Sequence, residues 1–321
     1  MTYQKYLVSS VLAITAFGAL LLCDPVRGFA APLLGPDLAS FAVLGATPSV
    51  TNTGATTLTG DVGVSPAASI TGQATLTVNG INALSNPGHV HLGDATAGSA
   101  QTQLGVAAGS AIFNLGLLGP GSLEPANLVG LTLPPGVYTV PAGMTNLSGT
   151  LTLDGGGNAN AAWVFQMEST LITSSGSVVN VINTGAGAGV YWNVRSDATL
   201  GATTSFEGNI LALNNITLVT GATIGCGRAL AHVAQVIMDA NTINSVGCEG
   251  TGEEGSKGLS GGLDVTTGPG GTVVAFLPFA PVGEGGGGTV PEPSSLLLLL
   301  CTGLAGLVFK VQRRKLWRAR A

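Results

Sequence analysis

Between Ala31 and Cys248 the apolar residues come in short runs, and Thr, Asn, Ser and Gly break them every few positions. Such runs, bounded by turn-forming residues, predict β-strands rather than helices. Four segments align with one another: "AWVFQMESTLITSSGSVVNVI" (162–182), "VYWNVRSDATLGATTSFEGN" (190–209), "ILALNNITLVTGATIGCG" (210–227) and "RALAHVAQVIMDANTINSV" (228–246). Each reads as three short strands, and the pattern returns after roughly 18–20 residues, the signature of a solenoid whose turns bury a shared core only by stacking. "FAVLGATPSVTNTGATTLTGDVGVSP" (41–66) and "YTVPAGMTNLSGTLTLDG" (138–155) repeat the style.

One stretch breaks the strand pattern. "GDATAGSAQTQLGVAAGSAIFNLG" (93–116) is Ala-rich, with Leu104, Ala107, Ala111 and Leu115 at helical spacing. It predicts a single long amphipathic α-helix with Asp94 near its N-terminus. Because it separates the first turn-like segment from the others, the expected architecture is mainly β: a discontinuous β-solenoid (β-helix) with one long helix alongside.

The two ends have a different pattern. Residues 1–30 carry Lys5, an apolar stretch from Leu7 to Leu22 and the small residues of "GFAA", as a secretory signal peptide does. At the other end, "VPEPSSLLLLLCTGLAGLVFKVQRRKLWRARA" joins a Pro-rich motif to an apolar run over about 294–310 and then a basic cluster. The run is just long enough to span a bilayer, with Lys310, Arg313, Arg314 and Lys315 on the cytoplasmic side. This segment, 290–316, resembles the PEP-CTERM sorting signal of Gram-negative bacteria. The resemblance implies processing at Val290, Pro291, Glu292 and Pro293 by an exosortase-type enzyme. It also implies delivery to the cell surface or extracellular matrix, with the inner membrane holding the chain only transiently and only through the C-terminal segment. Residues 249–289, "EGTGEEGSKGLSGG" through "GEGGGG", read as a Gly-rich linker between this signal and the 31–248 domain.

Setting the ends aside sharpens the charge picture. The chain has 11 Lys and Arg against 16 Asp and Glu, and charged residues make up 8%. The body retains only Arg195, Arg228 and Lys257 as cations. That is too few to neutralise a phosphate backbone, which excludes a nucleic-acid partner. Scattered acids and nearly absent bases also leave no paired carboxylates or triad, so the chain is not expected to be an enzyme or to need a cofactor. The body's two cysteines, Cys226 and Cys248, belong to an exported domain. They are expected to form a disulfide that pins the last turn, at roughly 3 kcal/mol for the loop it closes. His89 and His91 share one side of a strand, but without a third ligand in sequence they read as turn packing and not as a metal site. Asp61 and Asp154, in Gly-rich turns, read as turn-stabilising side chains.

The repeated words resemble the microbial ice-binding-protein family, over "FAVLGATPSVTNTGATTLTGDVGVSP", "PPGVYTV" (134–140), "LTLDGGGNANAAWVFQM" (151–167), "NILALNNITLVTGATIGCGRALA" (209–231) and "MDANTI" (238–243). The resemblance implies a discontinuous β-solenoid with a flanking helix and an ice crystal surface as ligand. A face suited to ice is flat, regular and free of charge. Thr serves it well, because a methyl and a hydroxyl sit on a stiff side chain. The family's Thr-Ala/Gly-x-Thr pattern points to Thr53, Thr56, Ser174, Ser177, Thr203, Ser205, Thr220, Thr223 and Thr242 as the ice-binding face, with Ala202 and Asp239 interrupting the ladder. The alternative reading is a matrix or adhesion protein that binds polysaccharide or other cells. It lacks an aromatic platform, because Trp163, Tyr191 and Trp192 are expected inside or in turns.

Overall fold

The structure, a computed structural model, describes residues 30–247 and 257–282. The chain is mainly β, and nearly all its strands pair in parallel between successive turns. Three ladders result. The first, called here the open face, runs through Thr132–Leu133, Thr150–Asn158, Val178–Thr184, the first residues of Ser205–Ala212 and of Thr223–Ala231, then Thr242–Asn244, Thr56–Thr59 and Leu76–Val78. The second, the covered face, runs from Ser122–Leu123 through Gly136–Val140, Ala162–Met167, Gly189–Val194, the later residues of Ser205–Ala212 and of Thr223–Ala231, then Phe41–Gly45, Asp61–Val64 and Val90–Leu92. A third, narrow face joins Leu171–Ile172, Ala198–Leu200, Ile216–Leu218, Val236–Met238, Val50–Asn52 and Ile70–Thr71.

Two-residue alternation explains why the ladders hold. Along each strand every second side chain turns inward, and the inward set Leu151, Val179, Phe206, Ile224, Ile243, Leu58 and Val78 lies in the common core at 2% exposure or less. Aromatic rings stack from turn to turn inside it: Tyr138 on Phe165 at 5.6 Å, Phe165 on Trp192 at 4.0 Å, and Trp192 against Phe206 at 5.0 Å.

The order of turns differs from the order of the chain. Thr242–Asn244 pairs with Thr56–Thr59, and Ala229 and Leu230 pair with Val43 and Leu44. The N-terminal turns therefore sit below the last C-terminal one. Asn241 N–H donates to Thr56 Oγ1 across 185 residues. Past Leu92 the chain must return to the far end of the stack, where Ser122 begins the covered ladder. That ladder has nine described strands, hence eight steps of about 4.8 Å, close to 38 Å. At a helical rise of about 1.5 Å per residue, roughly 25 residues span it, and the helical excursion over 95–117 nearly suffices.

That excursion corrects the expectation of one long helix over 93–116. After a short helix, α1 (Pro36–Ser40), it consists of two, α2 (Ala95–Leu104) and α3 (Ala111–Leu117). Asp94 caps α2 as expected, its side chain accepting from Ala97 N–H at 2.9 Å. The break comes from "GVAAGS". Gly105 closes the first helix, Gly109 takes a φ of 93° that helices do not use, and the Ser110 hydroxyl sits on the Gly105 and Ala107 carbonyls at 2.6 Å.

The 18–20-residue period also holds for only part of the stack. Asn215 bonds Asp197 18 residues back and Gln235 bonds Asn215 20 back, whereas Thr150, Val178 and Ser205 pair at 28 and 27 residues. The extra length includes the Gly-rich end of Thr150–Asn158 with residues 159–161, and residues 185–188, and both stretches bond the C-terminal tail. The region read as a linker is thus partly structural. Leu263–Gly268 and Gly271–Phe276 form an antiparallel hairpin that pairs with Ala30–Pro32. Arg228 fastens this tail. Its guanidinium, 1% exposed, donates to the carbonyls of Ala39, Ser245, Lys257 and Gly258 and to Asn209 Oδ1. Burial pulls its pKa down to about 10.

The segment expected to be a signal peptide (1–30, apart from Ala30), Cys248, and the sorting motif with its apolar run lie outside the described residues. Among the described residues no helix is long and apolar enough to cross a membrane. Cys226 is disulfide-bonded.

Candidate functional site

The covered face has an outward row that the helical excursion largely roofs. It runs Thr139, Gln166, Asn193, Leu211, Leu230 and Leu44 from rung to rung. Leu211, Leu230 and Leu44 pack with Leu104 of α2 and Leu115 of α3 in a second core. Gln166 of this row donates through Nε2 to Leu115 O of α3 at 2.7 Å and accepts from Asn193 Nδ2, while Gln101 of α2 donates through Nε2 to the strand carbonyls of Gly45 and Ala231.

Among the described residues the open face has no such cover. Its outward row is Thr150, Val178, Ser205, Thr223, Thr242, Thr57 and Thr77, each paired with the next. Each stands one residue before an inward core residue, so the row is held from beneath by Leu151, Val179, Phe206, Ile224, Ile243, Leu58 and Val78. Seven rungs at about 4.8 Å make a column about 29 Å long. It is without charge from end to end. A second outward column beside it, Thr132, Thr152 and Asn180 at one end and Asn244 and Thr59 at the other, is interrupted at Glu207, where the register shifts against Cys226.

The structure sorts the nine expected site residues into three groups. Ser205, Thr223 and Thr242 lie in the column. Thr53, Ser174, Thr203 and Thr220 stand instead at the corner between the narrow and open faces, where Thr203 N–H bonds Thr220 O and Thr53 N–H bonds Met238 O. Thr220 donates to the Asp239 carboxylate there. Thr56 and Ser177 are corrected outright, being buried at 0% and 1%. Ser177 Oγ–H donates to Leu147 O at 2.9 Å and Thr56 Oγ1 accepts from Asn241 N–H at 3.1 Å, so both fasten corners. In their turns the outward position falls one residue later, on Val178 and Thr57, because a one-residue slip exchanges the two faces of a strand.

Thr57, Thr77, Thr150 and Val178 are the members that the Thr-x-x-Thr pattern passed over. The signal that finds them is the residue directly before each inward aliphatic, in "TTL", "LTV", "GTL" and "SVV".

The rejected chemistry can be placed too. His89 Nδ1 lies 2.6 Å from Asp61 Oδ1, and His91 Nδ1 2.8 Å from Asp94 Oδ2, with the His91 ring against Phe41. Asp61 thus meets a histidine and not its own turn. Asp154 does hold a turn, accepting from Gly156 N–H and Asn183 Nδ2. These two hydrogen bonds lower its pKa. Among the described residues no group of three or more His, Cys, Asp or Glu is placed to hold a metal. Trp163, Tyr191 and Trp192 are buried at 1% or less.

Comparison with known proteins gives consistent matches. Residues 44–244 match the ice-binding-like family, and residues 289–315 match the PEP-CTERM protein-sorting motif. The chain is 35% identical over 314 residues to an ice-binding protein of Nostoc sp. (strain HG1), covering 97% of this chain and 96% of that one. Among solved structures it is similar to an ice-binding protein from an Antarctic biological consortium (35% identity, TM-score 0.55, covering 68% and 94% of the two chains). It is also similar to one from the Antarctic ascomycete Antarctomyces psychrotrophicus (33%, TM-score 0.58, 70% and 100%).

Proposed function

Since the chain belongs to the ice-binding-like family, we propose that it is an exported ice-binding protein, a discontinuous β-solenoid whose open face is the ice-contacting surface. The single observation that carries this reading is the uncharged seven-rung column from Thr150 to Thr77. Its rung spacing is close to the oxygen repeat of ice, and its side chains are short and stiff, so docking orders little. A charged row would keep its own hydration shell and hold the lattice off. Four corner residues, Thr53, Ser174, Thr203 and Thr220, border the column and extend the polar rim. The protein acts by binding, without catalysis.

The C-terminal motif supports delivery to the surface or matrix of a Gram-negative cell. In this reading the run at 294–310 anchors the chain in the inner membrane until an exosortase-type enzyme cuts near Val290–Pro293. The Cys226 bridge is assigned to Cys248. Polysaccharide is the rival ligand, and the burial of Trp163, Tyr191 and Trp192 counts against it.

Partition of the processed protein into a growing ice hemisphere, together with thermal hysteresis, tests the proposal. Enrichment in the ice phase is expected. Exclusion from ice with retention on an extracellular glycan column would transfer the function to the rival reading.

A further inference from the structure

The last ten described residues, "VVAFLPFAPV" (273–282), expose an unusual amount of apolar side chain: Val273 is 62% exposed, Phe276 39%, Phe279 66% and Val282 50%. Fraying does not account for it, because the backbone there is pinned. Leu277 N–H donates to Gly262 O at 2.9 Å, Ala280 N–H to Asn158 Oδ1 at 3.0 Å, Val282 N–H to Gly157 O at 3.0 Å, and Asn160 Nδ2 to Pro278 O at 3.0 Å. The neighbouring Val274 packs toward the second core. The fold thus spends hydrogen bonds on holding Phe279 and Val282 outward. No charged residue occurs from Val265 to Gly283. Apolar strips of this kind on a soluble surface mark contact with another phase or partner.

The chain beyond the strip indicates the occupant. The sorting motif begins at residue 289, and its apolar run starts near 294, about 12 residues past Val282. Such a stretch reaches at most about 40 Å. We propose that Val273, Phe279 and Val282 form a lipid-docking strip that rests the domain on the bilayer while the chain is still anchored; Phe276, opposite the buried Leu263, stays on the core side of the hairpin. Aromatic and aliphatic side chains without carboxylates suit the interfacial zone. This inference rests on the reading of 294–310 as a membrane anchor.

The test uses the full chain in phosphatidylcholine vesicles, with and without brominated acyl chains. Phe279→Trp places a reporter on the strip. Leu123→Trp, at a site 75% exposed on the first rung of the covered ladder, is the control. The emission added by Phe279→Trp, over that of the unsubstituted chain, should fall at least twofold in brominated vesicles, and that of Leu123→Trp should not. No quenching at 279 in a chain that resists alkaline carbonate extraction overturns the docking strip and leaves the anchor intact. Extraction of the chain by carbonate removes the anchor reading and the inference together. Shielding of the new Trp from iodide without quenching by bromine would assign the strip to a protein partner, and also overturns it.

Discussion

The covered and open faces share two long strands. Ser205–Ala212 and Thr223–Ala231 each contribute their first residues to the open face and their last to the covered one. Backbone pairing, rung spacing and the core beneath are shared. Only the outward side chains differ: Leu44, Leu211 and Leu230 on one side, and Thr223, Ser205 and Thr242 on the other. The apolar row acquired two helices as a roof because apolar surface left in water costs about 25 cal/mol per Å². The Thr row incurs no such cost, and among the described residues no helix covers it. In the proposed reading the ice-contacting surface is the row left unroofed, and rigidity comes to that row from the stacked turns themselves.

The largest expected effect breaks the covered side. Leu211→Asp places a carboxylate under α2 and α3 at a cost of about 4 kcal/mol or more, and thermal unfolding should show a drop in Tm large enough to approach loss of the fold. Next is the fastening of the tail. Arg228→Met leaves several buried carbonyls without a donor, for about 3 kcal/mol, or roughly 10 °C in Tm by calorimetry. An unchanged Tm would mean that the tail does not depend on it.

On the open side the same size of side-chain change should leave the fold alone and move function. Thr223→Tyr raises a ring above the middle of the column. Thermal hysteresis should fall by more than half, while stability stays within about 0.5 kcal/mol. Full hysteresis in this variant would put the ice-contacting row elsewhere. The smallest effect sharpens the comparison. Val178→Thr fills the one rung without a hydroxyl, between Thr150 and Ser205. A modest gain in hysteresis at unchanged stability is expected, and a loss would show that the long-period turns are outside the contact.

Much of this was legible beforehand, with informative exceptions. Ser205, Thr223 and Thr242 could be placed because each precedes a single inward Ile or Phe in an unambiguous alternation. Thr56 and Thr57 could not be told apart from a pattern of Thr residues, since adjacent threonines satisfy either register. Ser177 misled for the reverse reason: a small polar residue that looks solvent-facing is the one able to reach back to Leu147 O and close a corner. The split of the helix was signalled by Gly105, Gly109 and Ser110, yet their combined effect depends on the contacts that the excursion makes as it crosses the stack.

The sequence by itself determined the strand content, the core residues, the capping of α2 by Asp94 and the scarcity of charge, because period-two alternation, side-chain capping and composition are local properties. Tertiary structure alone decided that residue 242 stacks on residue 57, that the helices roof one face and not the other, and that the Gly-rich tail returns to cap Arg228. Those outcomes join residues as much as 189 apart in the chain. They follow from which apolar rows find each other to bury, and no local pattern records it.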